Sequence, residues 1–132
     1  MKRKGFTLIE LIIVMTIIGL LAAIAIPQLT YTKERAQIAA MKADLRNLVT
    51  IEENYFADSQ KYATDLGGSY AVSGGNRLPT ITLTRDGWSA SMTSPSSAQI
   101  CAVFVGSTPR APASKEGAPA CVKPDSATRV SP

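Results

Sequence analysis

The chain contains no histidine, only two cysteines, and not one charged side chain from residue 11 to residue 29. Without histidine there is no Ser-His or Cys-His pair to activate a nucleophile and no imidazole to ligate a metal. No glycine-rich phosphate loop appears, and no carboxylate cluster lies in the C-terminal half. Catalytic residues, a cofactor and a metal are therefore not expected, and the chain reads as a structural protein rather than an enzyme. Cys101 and Cys121 lack the C-x-x-C spacing of redox and zinc pairs. Aromatics make up only 6% of residues, so Tyr31, Tyr55 and Phe56 are better explained by packing than by a conducting stack of rings.

The uncharged run is the main positive signal. At 1.5 Å per helical residue it spans about 29 Å, the thickness of a bilayer's hydrocarbon core. Ahead of it stands the basic cluster Lys2-Arg3-Lys4, which the positive-inside rule holds in the cytoplasm, with the rest of the chain across the membrane. Setting those residues aside lowers the formal charge from +4 to +1, so the basic pI gives little reason to expect direct nucleic-acid binding. A chain of 132 residues has room for one membrane helix and one small domain, not for a second core.

One carboxylate, Glu10, stands at the head of the apolar run. An ionised group in the middle of a bilayer costs roughly 3 kcal/mol or more, so Glu10 needs a partner. Thr7-x-x-Glu10 satisfies a capping box, in which the threonine hydroxyl accepts an amide N–H and the glutamate reaches back to the cap residue's own amide. That suits a lone subunit, yet it leaves unexplained why a cap lies inside an apolar segment. A secretory signal peptide is a second reading, with Lys2-Arg3-Lys4 as n-region, residues 11–21 as h-region and Ala23-Ile24-Ala25 as cleavage site. Against it, Glu10 interrupts the h-region and helical periodicity continues far beyond Ala25.

Gly5-Phe6-Thr7-Leu8-Ile9-Glu10, followed by an apolar helix with Pro27 near its end, resembles the N-terminus of a type IV prepilin carrying a class III signal. The likeness is close as far as Gln28 and loose beyond it. It implies that a prepilin peptidase cuts the Gly5-Phe6 bond and N-methylates Phe6. It also implies that Glu10, with Thr7 beside it, engages the Phe6 amine of a neighbouring subunit. Gly19 and Pro27 bracket a stretch that, in resembling proteins, loses helical regularity once packed in a fibre. The residues fit, since Pro27 cannot donate to the Ala23 carbonyl, a defect of about 3 kcal/mol in an ordinary helix. A passive kink of the kind found in many membrane helices is the alternative.

Past the apolar run the helix is expected to continue. Ile38, Met41, Leu45, Leu48 and Tyr55 recur at helical spacing, with Val49, Ile51 and Phe56 widening the stripe, which predicts one helix of about 80 Å from near Phe6 to near Ser59. Its charges are ordered. Lys33, Arg35, Lys42 and Arg46 precede Glu52, Glu53 and Asp58, with only Glu34 and Asp44 interrupting, so staggered neighbours could pair a positive band with a negative one; the alternative is a solvated face. Gly67-Gly68, Gly74-Gly75, Asn76 and Pro79 mark residues 60–79 as a loop containing a short strand at residues 70–72. Asp86-Gly87 reads as a two-residue hairpin turn. It would oppose Ile81 with Met92, Leu83 with Ala90 and Arg85 with Trp88 on an apolar face, and Thr82 with Ser91 and Thr84 with Ser89 on a hydroxyl face turned to water. A third strand is expected at residues 99–105. Two cysteines in a domain beyond the membrane predict a Cys101-Cys121 disulfide worth about 3 kcal/mol. It would pin a tail holding Pro109, Pro112, Pro119, Pro124 and Pro132 to the third strand, and such a stapled loop also resembles pilins.

The expected fold is thus α+β, a long N-terminal helix, half transmembrane and half amphipathic, packed on a small antiparallel sheet of three to four strands with a disulfide-stapled C-terminal loop. The expected segments are a leader at 1–5, a transmembrane and filament-core helix at 6–29, the amphipathic half at 30–59, an αβ-loop at 60–79, and sheet with C-terminal loop at 80–132, residues 30–132 forming one globular domain. The resemblance implies a homopolymeric pilus subunit, processed by a prepilin peptidase and N-methyltransferase and held in the inner membrane. The pilus assembly machinery would then draw it into an extracellular filament serving motility, adhesion or DNA uptake. A pseudopilin of a type II secretion system is the alternative. The cysteine pair, and a tail whose only acidic ligands are Glu116 and Asp125, argue against a major pseudopilin with a calcium loop. A surface-anchored binding protein using the same leader and a Sec-secreted soluble domain complete the readings.

Overall fold

The computed structural model describes residues 4–124. One long helix and four strands follow in the order α1 (Leu8–Ser59), β1 (Thr80–Leu83), β2 (Trp88–Ser94), β3 (Ser97–Val105) and β4 (Ala120–Val122). Lys2, Arg3, Asp125 and Pro132 lie outside the described residues. The chain divides into two compact units, Met1–Lys33 and Glu34–Pro132.

Helix α1 opens at Leu8 rather than Phe6 because Thr7 serves as its cap. It stays helical through Gly19 and Pro27. It ends where Gln60 adopts a left-handed conformation (φ 58°). The Gln60 amide donates to the Phe56 carbonyl at 2.8 Å, and its side-chain amide reaches the same oxygen at 3.3 Å. A non-glycine residue thereby closes the helix with the single 5→1 bond of a left-handed cap.

The four strands are antiparallel neighbours in sequence order, a meander without crossovers. Within the unit Glu34–Pro132 the core joins Met41, Leu45 and Leu48 of α1 to Trp88, Ala90 and Met92 of β2 and to Cys101 and Val103 of β3. The helical spacing of the first set and the period of two in the others bring one face of each element inward. Cys101 and Cys121 are a directly opposed β3–β4 pair joined by a disulfide of 2.00 Å. The bridge therefore lies on the helix-facing side of the sheet. Tyr55, expected on the buried stripe, is 45% exposed; it falls seven residues after Leu48, where a 3.6-residue helix has begun to turn the stripe away.

Several local expectations are corrected. The β1–β2 register is displaced by two residues: Ile81 opposes Ala90 and Leu83 opposes Trp88. The connection is a four-residue loop, 84–87, closed by the Thr84 amide donating to the Gly87 carbonyl at 2.9 Å. Gly87 is not among the residues with positive φ, so it does not form the primed turn that Asp-Gly suggested. Glycine is required because a Cβ there would lie 1.9 Å from the Val105 carbonyl oxygen. An even displacement leaves every side chain on its face, which is why the apolar pattern survives the change of partner.

The hydroxyl face is open to water only in part: Thr82 is exposed, while Thr84 and Ser91 are half-buried. Ser89, Ala102 and Phe104 on that side are buried. Residues 106–119 run beside β3, with the Gly117 amide donating to the Phe104 carbonyl at 2.8 Å and Ala113 buried. Residues 70–72 do not join the sheet. Instead Tyr70 turns inward, its hydroxyl donating to the Asp44 carbonyl at 3.0 Å. The third strand starts at Ser97, two residues earlier than expected.

Candidate assembly site on the N-terminal helix

Residues 4–7 precede the helix in non-helical backbone. Phe6 is 83% exposed, and an added Cβ at Gly5 would meet nothing within 4 Å. Among the described residues nothing crowds the Gly5-Phe6 bond. Thr7 and Glu10 form a complete capping box. The Thr7 amide donates to Glu10 Oε2 at 2.8 Å, the Thr7 hydroxyl donates to the same oxygen at 2.7 Å, and the Glu10 amide donates back to Thr7 Oγ1 at 3.3 Å. One carboxylate oxygen therefore takes two donors from a single residue, and three polar groups at the head of the apolar run are matched locally.

From Leu11 to Leu29 the helix carries no charged side chain. Its most apolar 18-residue window has mean hydropathy 2.8 and none of it is buried within the protein. The large apolar side chains from Leu8 to Leu29 are between 47% and 76% exposed. Thr16 and Thr30 bond back to the Ile13 and Ile26 carbonyls at 2.8 and 3.2 Å, so their hydroxyls need no water. Pro27 has no N–H to give the Ala23 carbonyl, yet the surrounding turns stay helical. Such a surface, long enough to cross a bilayer, is stable only in lipid or against similar helices.

Two acidic residues that sequence reasoning placed with the exposed helix charges are buried. Asp44 is 2% exposed and holds the loop to α1. Its carboxylate accepts the Ser73 amide at 3.0 Å, the Ser73 hydroxyl at 2.7 Å and the Asn76 side-chain amide at 2.6 Å. Asn76 Oδ1 in turn accepts from Gln37 Nε2. Glu52 is fully buried; its Oε2 accepts the Ala63 amide at 3.1 Å while Oε1 has no partner. Burial raises the Glu52 pKa above the ordinary 4.5, with Glu53 adding to the rise. Burial, then the Asp44 charge, raises that of Tyr70. The signal for both acids was in the spacing, since Asp44 follows Met41 by three and Glu52 follows Leu48 by four. Asp86 behaves differently: hydrogen bonds from Ser107, including its amide at 2.9 Å, lower its pKa.

Residues 1–26 match a family model described as the prokaryotic N-terminal methylation motif. The chain is similar to the type IV major pilin protein of Myxococcus xanthus, 40% identical over 79 residues that cover 58% of this chain and 35% of that protein. It is similar to the major component of the type IV wide pilus of Thermus thermophilus, 44% identical over 64 residues, 48% of this chain and 49% of that one. It is also similar to the type II secretion system core protein G of Pseudomonas aeruginosa, 31% identical over 71 residues, 54% and 50% of the two chains. The chain spans about half or less of the length of these curated relatives.

Proposed function

We propose that the chain, whose residues 1–26 match the N-terminal methylation motif and which is similar to type IV pilins and to a secretion-system core protein, is a structural subunit of a type IV pilus. The observation that carries this reading is the apolar surface of α1, with none of its most apolar window buried within the protein. In the inner membrane that surface is solvated by lipid. In a filament it is covered by the same surface of other copies. Because lipid tails and neighbouring helices are similarly apolar, the transfer is nearly balanced, and packing and polar contacts decide its direction. A prepilin peptidase cuts Gly5-Phe6 and N-methylates Phe6, and the Glu10 carboxylate then takes the new amine of a neighbour as a charge-assisted partner. Gly19 and Pro27 mark where the packed helix loosens. Residues 6–29 form the filament core and residues 30–132 the outward domain.

Mass spectrometry of filaments sheared from cells tests the reading. The expected chain starts at N-methylated Phe6 and carries the Cys101-Cys121 bridge. A chain starting at Ile26 would establish a cleaved signal peptide instead, and an uncut leader would deny the maturation. The similarity to secretion core protein G favours one second reading, a pseudopilin. Deleting the gene separates the two: loss of surface filaments with normal protein secretion supports the pilus, and the reverse supports the secretion system.

A further inference from the structure

Strand β1 ends the sheet, and its outer edge is open. The Thr84 amide donates to Gly87, so in the antiparallel ladder Thr84, Thr82 and Thr80 turn their backbone groups toward β2. The N–H and C=O groups of Ile81 and Leu83 point the other way. Among the described residues no backbone hydrogen bond reaches them. The strand has no charge, no proline and no bulge against β2, so its only guard against pairing is its shortness.

A groove runs along this edge between β1 and residues 56–70. At one end a cavity of about 450 Å³ is lined by Phe56, Tyr62, Leu83 and Arg85. At the other a cavity of about 310 Å³ is lined by Leu66, Leu78 and Ile81. Ile81 and Leu83, one in the wall of each cavity, are two residues apart on one face, the side-chain period of a strand, about 6.8 Å. The first cavity also has Lys61 in its wall. Among the described residues neither Lys61 nor Arg85 makes an ion pair, and the Asp86 carboxylate beside them is held by the Ser107 amide. Thr84 Oγ1, in the same wall, is buried without a partner.

We propose that this edge is a docking site for an extended segment of another protein with the pattern acidic, any, apolar, any, apolar, which adds to the sheet as a fifth strand. Its backbone pairs with Ile81 and Leu83, its alternate apolar side chains fill the two cavities, and its carboxylate meets Lys61 and Arg85. The site belongs wholly to the unit Glu34–Pro132, so it stands or falls independently of how the apolar helix is used.

The test is a titration of the full-length, isotope-labelled chain in detergent micelles with the blocked pentapeptide Glu-Thr-Val-Thr-Val, followed by amide chemical shifts. Saturable shifts centred on Ile81, Leu83 and Arg85 are expected, with slowed hydrogen exchange at the Ile81 and Leu83 amides. Leu83→Lys, at an exposed position, should weaken binding about tenfold. Arg85→Glu should weaken it severalfold while leaving affinity for Gln-Thr-Val-Thr-Val unchanged. Native shifts away from the edge establish that both variants are folded. An edge that does not respond, or affinity indifferent to Leu83→Lys, overturns the proposal. Protection of Ile81 and Leu83 without peptide, growing with protein concentration, would assign the edge to a second copy and overturn it too.

Discussion

Replacing Asp44 with alanine removes the acceptor of three hydrogen bonds, at 3.0, 2.7 and 2.6 Å, from a site that is 2% exposed. Bonds to a charged acceptor contribute about 1.5–3 kcal/mol each when both partners are buried. Here Ser73 is exposed and Asn76 half-buried, so water recovers part of the loss. The expected net destabilisation is about 3 kcal/mol. For a unit of this size that lowers the melting temperature by roughly 12 to 20 °C. Urea and thermal unfolding of the globular unit, freed of the apolar run, measure it. Asp44→Asn keeps one acceptor oxygen but turns a donor toward Ser73 or Asn76, so about half the loss is expected. A loss below about 1 kcal/mol for alanine, or an asparagine variant as stable as the parent, would refute the idea that this carboxylate fastens the loop to the helix.

Glu52 should respond in the opposite sense. Its folded pKa is raised above 4.5, so its contribution to stability is greatest below that value and declines as pH rises toward the folded pKa. Glu52→Gln keeps the oxygen that accepts the Ala63 amide and removes the buried charge; a gain of about 1 kcal/mol at pH 7, vanishing near pH 4, is expected from unfolding curves at the two pH values. Glu10→Ala should leave the precursor in the membrane and cleavable yet sharply reduce filaments, and normal fibre yield from that variant would dismiss an assembly role. The charge-band pairing now rests on Glu53 and Asp58, since Glu52 is buried. Reversing both to lysine should impair assembly more at low salt than at high, with partial rescue by Lys42→Glu and Arg46→Glu, and unchanged filament yield would leave those charges as a solvated face.

The elements legible in the sequence were those with long, redundant signals. The apolar run, the Met41-Leu45-Leu48 stripe and the alternation through Trp88, Ala90 and Met92 each repeat a period several times, so no single residue decides them. The β1–β2 register rested on one dipeptide. Asp86 and Gly87 had tertiary duties that sequence does not display: the carboxylate binds Ser107, and the glycine makes room for the Val105 carbonyl. Asp44 and Glu52 were misplaced because charge was allowed to outweigh position, although both fall on the apolar stripe. At the N-terminus the capping box was readable because Thr7 and Glu10 interact within one turn. What a second copy does with Glu10 depends on contacts that a single chain does not contain.

The capping box has a consequence for how a subunit waits. A solitary carboxylate in an apolar stretch would make every idle subunit a strained species, released by joining a fibre and restored on leaving it. With both Thr7 donors already on Glu10 Oε2, the carboxylate is never bare. If a neighbour's amine binds Glu10 as proposed, joining becomes a substitution of ligands, as in exchange at a metal ion, rather than the creation of a first bond.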